Sequence, residues 1–259
     1  MTGRIKVDRA GYVATVTLDN PTKRNAVNLA MCEQLSEEMA ALAQDPTLRC
    51  IVFRGEGEEA FGSGLDISEF ERIRSDKATA TNSMRRVHPA LRALLDCPVP
   101  TLAAIRGVCV GGGLELAACC DLRIATDNSR FGIPIGKLGG ALAYPELEGV
   151  VLSFGPVVAL EILLEGRIFG AAEAAAKGML TRVVPVADFE EEVRKAVDRI
   201  TSMAPLSAQW HKKFVNRLRN PAPLSAAEHA EAYECFETYD FHEGSRAFLA
   251  KRAPRFEGR

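Results

Sequence analysis

Polar and apolar positions switch period along this chain, and the switches mark its elements. Ile5 to Asp8 and Tyr12 to Leu18 are extended runs around Arg9-Ala10-Gly11, the second alternating as VATVTL, which predicts a hairpin. After Asn20-Pro21, Asn28 stands as a cap before Cys32, Leu35, Met39 and Leu42, whose 3-4-3 spacing predicts a helix ending near Asp45-Pro46. Cys50-Ile-Val-Phe53 reads as a buried strand. Met84, Val87, Leu91 and Leu94 mark a second amphipathic helix up to Cys97-Pro98. Thr101 to Ile105 and Leu122 to Ala125 are further strands, separated by a glycine cluster and a short helix. Strand and helix alternate, so the fold class is α/β with parallel strands and helical crossovers. From about residue 155 helical periods dominate: Val158 to Leu164, Ala171 to Lys177, Phe189 to Met203, Leu206 to Leu218, Ser225 to Tyr239 and Glu243 to Lys251. This divides the chain into an α/β core over 1–199 and a helical region over 200–259, too short for a core of its own and expected to pack on the first part or on a neighbour.

Composition narrows the function classes. With 259 residues, 47% hydrophobic and 25% charged, the chain buries a sizeable core. A formal net charge of -2 argues against a polyanion partner such as nucleic acid. Seven scattered cysteines, without CxxC or paired histidines, disfavour disulfides and zinc and fit a reducing cytoplasm. The N-terminus lacks the apolar stretch of a signal peptide, and the most apolar run, GVVLSFGPVVAL, is short for a bilayer span, so a soluble protein is expected.

Chemistry gathers at two glycine-rich stretches, each following a strand: Phe61-Gly-Ser-Gly-Leu-Asp66 and Gly107-Val-Cys-Val-Gly-Gly-Gly-Leu-Glu115. Both fail the dinucleotide pattern GxGxxG, and GIPIGKL fails the phosphate loop. Such turns leave backbone N–H groups uncovered at a helix start, and two of them converging would make an oxyanion hole; the competing reading is a pair of tight turns made for close packing. Glu115 is the one charge in VGGGLELAACC, and three residues after Gly112 it shares a helix face with those amides. A carboxylate in such apolar company is costly unless it is used. The four histidines lie singly, Ser63 lacks the GxSxG elbow, and Asp121 reads as a structural acceptor.

The segments NPTKRNAVN, AFGSGLDISEF, IRGVCVGGGLELAACCDLRIA, FGIPIGKLG, EILLEGRIFGAAEAAAKGMLTRVV and EGSRAFLAKRAPRFEGR resemble, in this order, the motifs of the enoyl-CoA hydratase/isomerase (crotonase) superfamily from about residue 20 onward. The resemblance implies a crotonase-like (ClpP/crotonase) spiral of ββα units in two sheets and a C-terminal helical trimerisation region, assembled as a homotrimer or a hexamer. It implies an acyl-CoA thioester substrate, with coenzyme A as part of that substrate and no separate cofactor or metal. The amides of Leu65 and Gly112 fall at the positions of the oxyanion hole, beside Gly111. Lys23, Arg24, Ala26 and Val27 fall along the adenine and phosphates. Leu65, Asp66, Ile67 and Ser68 lie along the pantetheine and thioester, Ser63 and Gly64 are substrate-binding positions just before them, and Lys251 is a further phosphate contact. Glu115 matches the first glutamate of the hydratases. The second glutamate's position is Ile135, a departure that puts two-glutamate hydration in doubt; Tyr144 and Glu146, just beyond, are substitutes, with Tyr144 equally readable as a packing aromatic. The leading expectation is hydration of a 2-enoyl-CoA with Glu115 as the single acid–base residue. Double-bond isomerisation, thioester hydrolysis, decarboxylation and non-catalytic acyl-CoA binding are the alternatives.

Overall fold

The structure is a computed structural model that describes residues 3–259, and for Phe70 and Glu71 the backbone alone. In chain order the elements are β1 (Arg4–Ala10), β2 (Val13–Asp19), α1 (Leu29–Ala43), β3 (Cys50–Gly55), β4 (Ala60–Gly62), α2 (Ile67–Ile73), α3 (Lys77–Asp96), β5 (Thr101–Ile105), β6 (Val108–Val110), α4 (Gly112–Cys119), β7 (Leu122–Thr126), β8 (Arg130–Gly132), α5 (Tyr144–Glu165), β9 (Phe169–Gly170), α6 (Ala171–Ala176), β10 (Arg182–Val184), α7 (Phe189–Thr201), α8 (Pro205–Leu218), α9 (Ala226–Glu231) and α10 (Tyr239–Leu249). A six-stranded sheet runs β1-β2-β3-β5-β7-β10 and a four-stranded one β4-β6-β8-β9. All pairings are parallel except the β1–β2 hairpin and β8–β9.

The apolar run Cys50 to Phe53 is explained by burial on both faces. Successive side chains of a strand point to opposite sides. Ile51 and Phe53 join the main core with α1, α3 and α4, while Cys50 and Val52 join a second core under Phe189, Val193 and Ala196 of α7. The hairpin, the helix capped by Asn28, whose side chain accepts from the Met31 amide, and the strands at 101–105 and 122–126 lie where the pattern predicts them.

The short strands of the second sheet, two or three residues each, carry too few positions for a period to show. Two further strands, β9 and β10, interrupt the stretch beyond about residue 155 in which helical periods dominate. The helix expected over 158–164 begins at Tyr144 and is broken at Gly155, where φ is 78°. That helix, 22 residues long, is apolar enough to cross a bilayer by length and composition, but it packs on α4, with Gly149 against Cys119 and Ser153 donating to the Ala118 carbonyl, and it buries Val150, Phe154, Ala159 and Ile162. Residues 225–239 form α9 and a separate 3-10 turn at Glu234–Glu237 instead of one helix.

The helical tail docks on the α/β body. Lys212 of α8 donates to the Val99 carbonyl (3.0 Å) and pairs with Asp121 (2.7 Å), which also accepts from the Thr101 amide and hydroxyl. Arg49 donates to the carbonyls of Thr201 and Phe256. Asp121 is thus the structural acceptor its sequence setting suggests.

Candidate active site

Two turns touch at the start of α4. After β4, Gly64 adopts φ of +101°, a conformation that L side chains rarely take, and the next residues pair with the segment after the Lys23 turn. The Val27 amide donates to the Gly64 carbonyl (2.8 Å) and the Asp66 amide to the Val27 carbonyl (2.9 Å). Leu65 lies between these two bonds, so its own N–H points to the other side of the extended segment. The second turn follows β6: Gly111, φ +52°, is the N-cap, and Gly112 is the first residue of α4, whose N–H has no partner within the helix. A Cβ on Gly64 would stand 3.2 Å from the Gly112 nitrogen, and one on Gly112 would stand 3.5 Å from the Leu65 nitrogen. The two amides therefore share one small neighbourhood, and neither belongs to the backbone hydrogen bonds that hold the turns. Gly113 keeps them there: a Cβ on it would fall 2.2 Å from the Gly62 carbonyl oxygen.

Alpha4 is fixed at its far end as well. The buried Arg123 guanidinium donates to the carbonyls of Ala117, Cys120 and Met179, covering C-terminal carbonyls that a helix leaves open. A long basic side chain in the strand after an apolar helix is the signal for this cap, and motif reasoning passed over it.

A cavity of about 30 Å³, room for about one water, lies under the two amides. Its walls are apolar side chains of α1, α3 and α4, among them Cys32, Leu35, Val87, Leu91 and Leu116, and its charged groups are Glu115 and Glu146. Glu115 is 7% exposed and Glu146 4%. Burial, with Glu146 nearby, pushes the Glu115 carboxyl up to about 8, against a smaller opposing pull from Arg74. Glu146 accepts from the Ala143 amide (2.6 Å) and from Arg74 (3.3 Å). Larger hollows flank α8, one of about 780 Å³ lined by Arg92, Trp210 and Lys213 and one of about 900 Å³ lined by Met203, His211 and Phe256. Neither brings buried carboxylates to uncovered helix-end amides, so the small cavity is the candidate site.

The rim is polar. Lys23 pairs with Asp66 (2.6 Å) and donates to the Ser68 hydroxyl (2.9 Å), while the Ser63 hydroxyl donates to the Lys23 carbonyl (3.1 Å). Arg24 and Asn25, both with φ near +50°, turn the chain so that Arg24 is exposed while Ala26 and Val27 are buried. Ile67 is 75% exposed beside this cluster. Lys251 stands exposed after α10, its amide bonded to Phe248, and no hydrogen bond joins it to the Lys23 rim. Ile135 does not line the cavity: it packs against the main core and under Gly140, where a Cβ would meet it at 3.1 Å. Tyr144 is 88% exposed, whereas Glu146, two residues on, reaches the cavity. Among the described residues no group of three or more His, Cys, Asp or Glu side chains is placed to hold a metal.

The family model for enoyl-CoA hydratase/isomerase matches residues 8–259. The chain belongs to the enoyl-CoA hydratase/isomerase family. A probable enoyl-CoA hydratase of Mycobacterium tuberculosis is 33% identical over 98% of each chain, and the (E)-benzylidenesuccinyl-CoA hydratase of Thauera aromatica is 32% identical over 98% of this chain and 99% of its own. The crystal structure of an enoyl-CoA hydratase/carnithine racemase from Magnetospirillum magneticum superposes with a TM-score of 0.97 at 44% identity, covering 100% of this chain and 97% of the other. The protein is an enzyme of this family, whose members act on acyl-CoA thioesters, and the crotonase fold expected from the motifs is the fold observed.

Proposed function

We propose that the protein adds water to the double bond of a 2-enoyl-CoA, giving the 3-hydroxyacyl-CoA. The observation that carries this reading is Glu115, buried one helical turn from two amides that the fold leaves uncommitted. A thioester carbonyl placed on the Leu65 and Gly112 N–H groups is polarised, and the enolate formed when oxygen attacks C3 delivers its charge to those amides. Glu115, in reach of the same acyl group, exchanges the proton that hydration requires. The apolar walls exclude bulk water and strengthen both interactions. Coenzyme A enters as part of the substrate, along the Lys23 rim and the Leu65 to Ser68 segment, and no other cofactor takes part.

Assembly as a trimer or hexamer accompanies this reading, since Val157 (76%), Leu164 (80%) and Phe248 (83%) are apolar and exposed in the single chain. Seven free cysteines, six of them buried, fit a cytoplasmic protein. The direct test is loss of enoyl-thioester absorbance on mixing with crotonyl-CoA. Turnover that disappears in Glu115→Gln supports hydration; a wild type that leaves enoyl thioesters of several chain lengths unchanged refutes it. Ile135, at the position of the hydratases' second glutamate, favours one second reading, an isomerisation, hydrolysis or decarboxylation that needs the oxyanion site and at most one acid–base group. Product analysis separates these.

A further inference from the structure

We propose that Glu146 is the catalytic base of this site, that Glu115 is its acid, and that Arg74 is the positioning residue that keeps the two roles apart; this rests on the hydratase reading. The carboxylate missing at Ile135 is replaced from another place in the fold. The segment after the Pro134–Leu138 turn enters α5 at Tyr144, and the third helical residue, Glu146, turns inward to the cavity that holds Glu115. Both of its oxygens accept hydrogen bonds, one from Ala143 N–H and one from the Arg74 guanidinium, as an ionised carboxylate's do. Arg74 lies between α2 and α3, only partly exposed, with its guanidinium also against the Met84 sulfur.

Two carboxylates in one apolar cavity do not both ionise easily. Arg74 is hydrogen-bonded to Glu146, which makes Glu146 the member that keeps its charge and leaves Glu115 the proton. The shift of Glu115 up to about 8 agrees with this split. Among the described residues the other titratable groups facing Glu115 are thiols: Cys32 from α1, pushed up to about 12 by burial, and Cys119 further along α4, raised well above the usual thiol value by burial. They stay neutral through the working range. Alpha3 and the Gly64 turn contribute no charge to the cavity wall.

The step balances. Glu146 takes a proton from water as the water oxygen bonds to C3, and the C2–C3 π electrons move into the enolate held at Leu65 and Gly112. The enolate collapses as C2 takes the proton of Glu115. A proton passed from Glu146 back to Glu115 resets the pair.

The test compares wild type, E146Q, R74M and R74K in crotonyl-CoA hydration between about pH 5 and pH 10. The side-chain amide introduced by E146Q has one oxygen, which accepts from the Ala143 N–H as Gln does in that capping position, while its NH2 faces Arg74 in place of the second acceptor, so circular dichroism and urea unfolding are run beside the rates to show that the fold is kept. The expected loss in kcat is ~10²- to 10⁴-fold, with KM little changed. R74M loses about tenfold and R74K recovers part of it. The alkaline limb set by Glu115 moves down in E146Q and up in R74M. An E146Q rate within about threefold of wild type overturns the proposal, as does a loss with an unmoved limb in both variants. If the wild type hydrates nothing, the hydratase reading has failed, and the pairing is read without turnover. The protonated-carboxyl band that E115Q removes from a pH-difference infrared spectrum then titrates lower in E146Q and higher in R74M, or the pairing fails too.

Discussion

Glu115→Gln separates what the carboxyl does for the reaction from what it costs the fold. Its pKa is raised from 4.5 to about 8 in the folded protein, chiefly by burial. Between those values the folded chain keeps a proton that the unfolded chain has lost, so stability falls as pH rises through the interval and levels off above about 8. The full shift corresponds to about 5 kcal/mol at 1.36 kcal/mol per pKa unit. Gln, of nearly the same shape, carries no such penalty. Integrated over the two titrations, the variant's advantage is under about 1 kcal/mol near pH 5 and between about 4 and 5 kcal/mol near pH 9. Urea unfolding followed by circular dichroism at fixed protein concentration reads this directly at the two pH values. The expected result is an inactive protein whose stability relative to wild type grows by about 4 kcal/mol over that range. A difference that stays below about 1 kcal/mol at every pH refutes the burial argument, because an acid that ionises freely in the fold is not in a desolvated site.

Gly64→Ala places a Cβ 3.2 Å from the Gly112 nitrogen on a backbone with φ of +101°, over one of the two amides; kcat is expected to fall by ~10²- to 10³-fold, the usual result of losing one oxyanion donor, and an unchanged rate refutes that role for the amide. Leu91→Ala, at a wall residue 3% exposed, should cost about 2–5 kcal/mol of stability while raising kcat/KM for longer enoyl chains relative to crotonyl; an unchanged chain-length profile removes Leu91 from the acyl wall. Arg123→Met leaves the carbonyls of Cys120 and Met179 without the Arg123 donor, and that of Ala117 with the Cys120 N–H, and should cost about 3 kcal/mol, measurable by denaturation, with a weaker effect on KM than on stability.

The large sheet and the first helices were legible because their residues repeat often enough for a period to emerge, as in VATVTL or Cys32, Leu35, Met39 and Leu42. Beta4, β6 and β8 were not, since three residues make no period, and yet these strands bring Gly64 and Gly112 together. What the sequence did carry there was steric: of the three consecutive glycines where α4 starts against β4, Gly111 is needed for its φ of +52° and Gly113 because a methyl on it collides with Gly62. The position of the second carboxylate was the hardest to read. The resemblance of FGIPIG leads to Ile135, a position that packs against the main core and is not among the residues lining the cavity of Glu115. Tyr144, the other substitute beyond the gap, opens α5, where a side chain lies beyond the packed turn, and it is exposed. Glu146 sits two residues on, about 200° around the helix at 3.6 residues per turn, which carries it from the outer to the inner side. The clue available beforehand was the pattern Ala143-Tyr-Pro-Glu146, in which a proline at the second helical residue and an acid at the third mark a helix start whose glutamate folds back on its own cap. Such a glutamate is held in a fixed rotamer before any partner arrives. That makes it a better place for a catalytic carboxylate than the phenol next door.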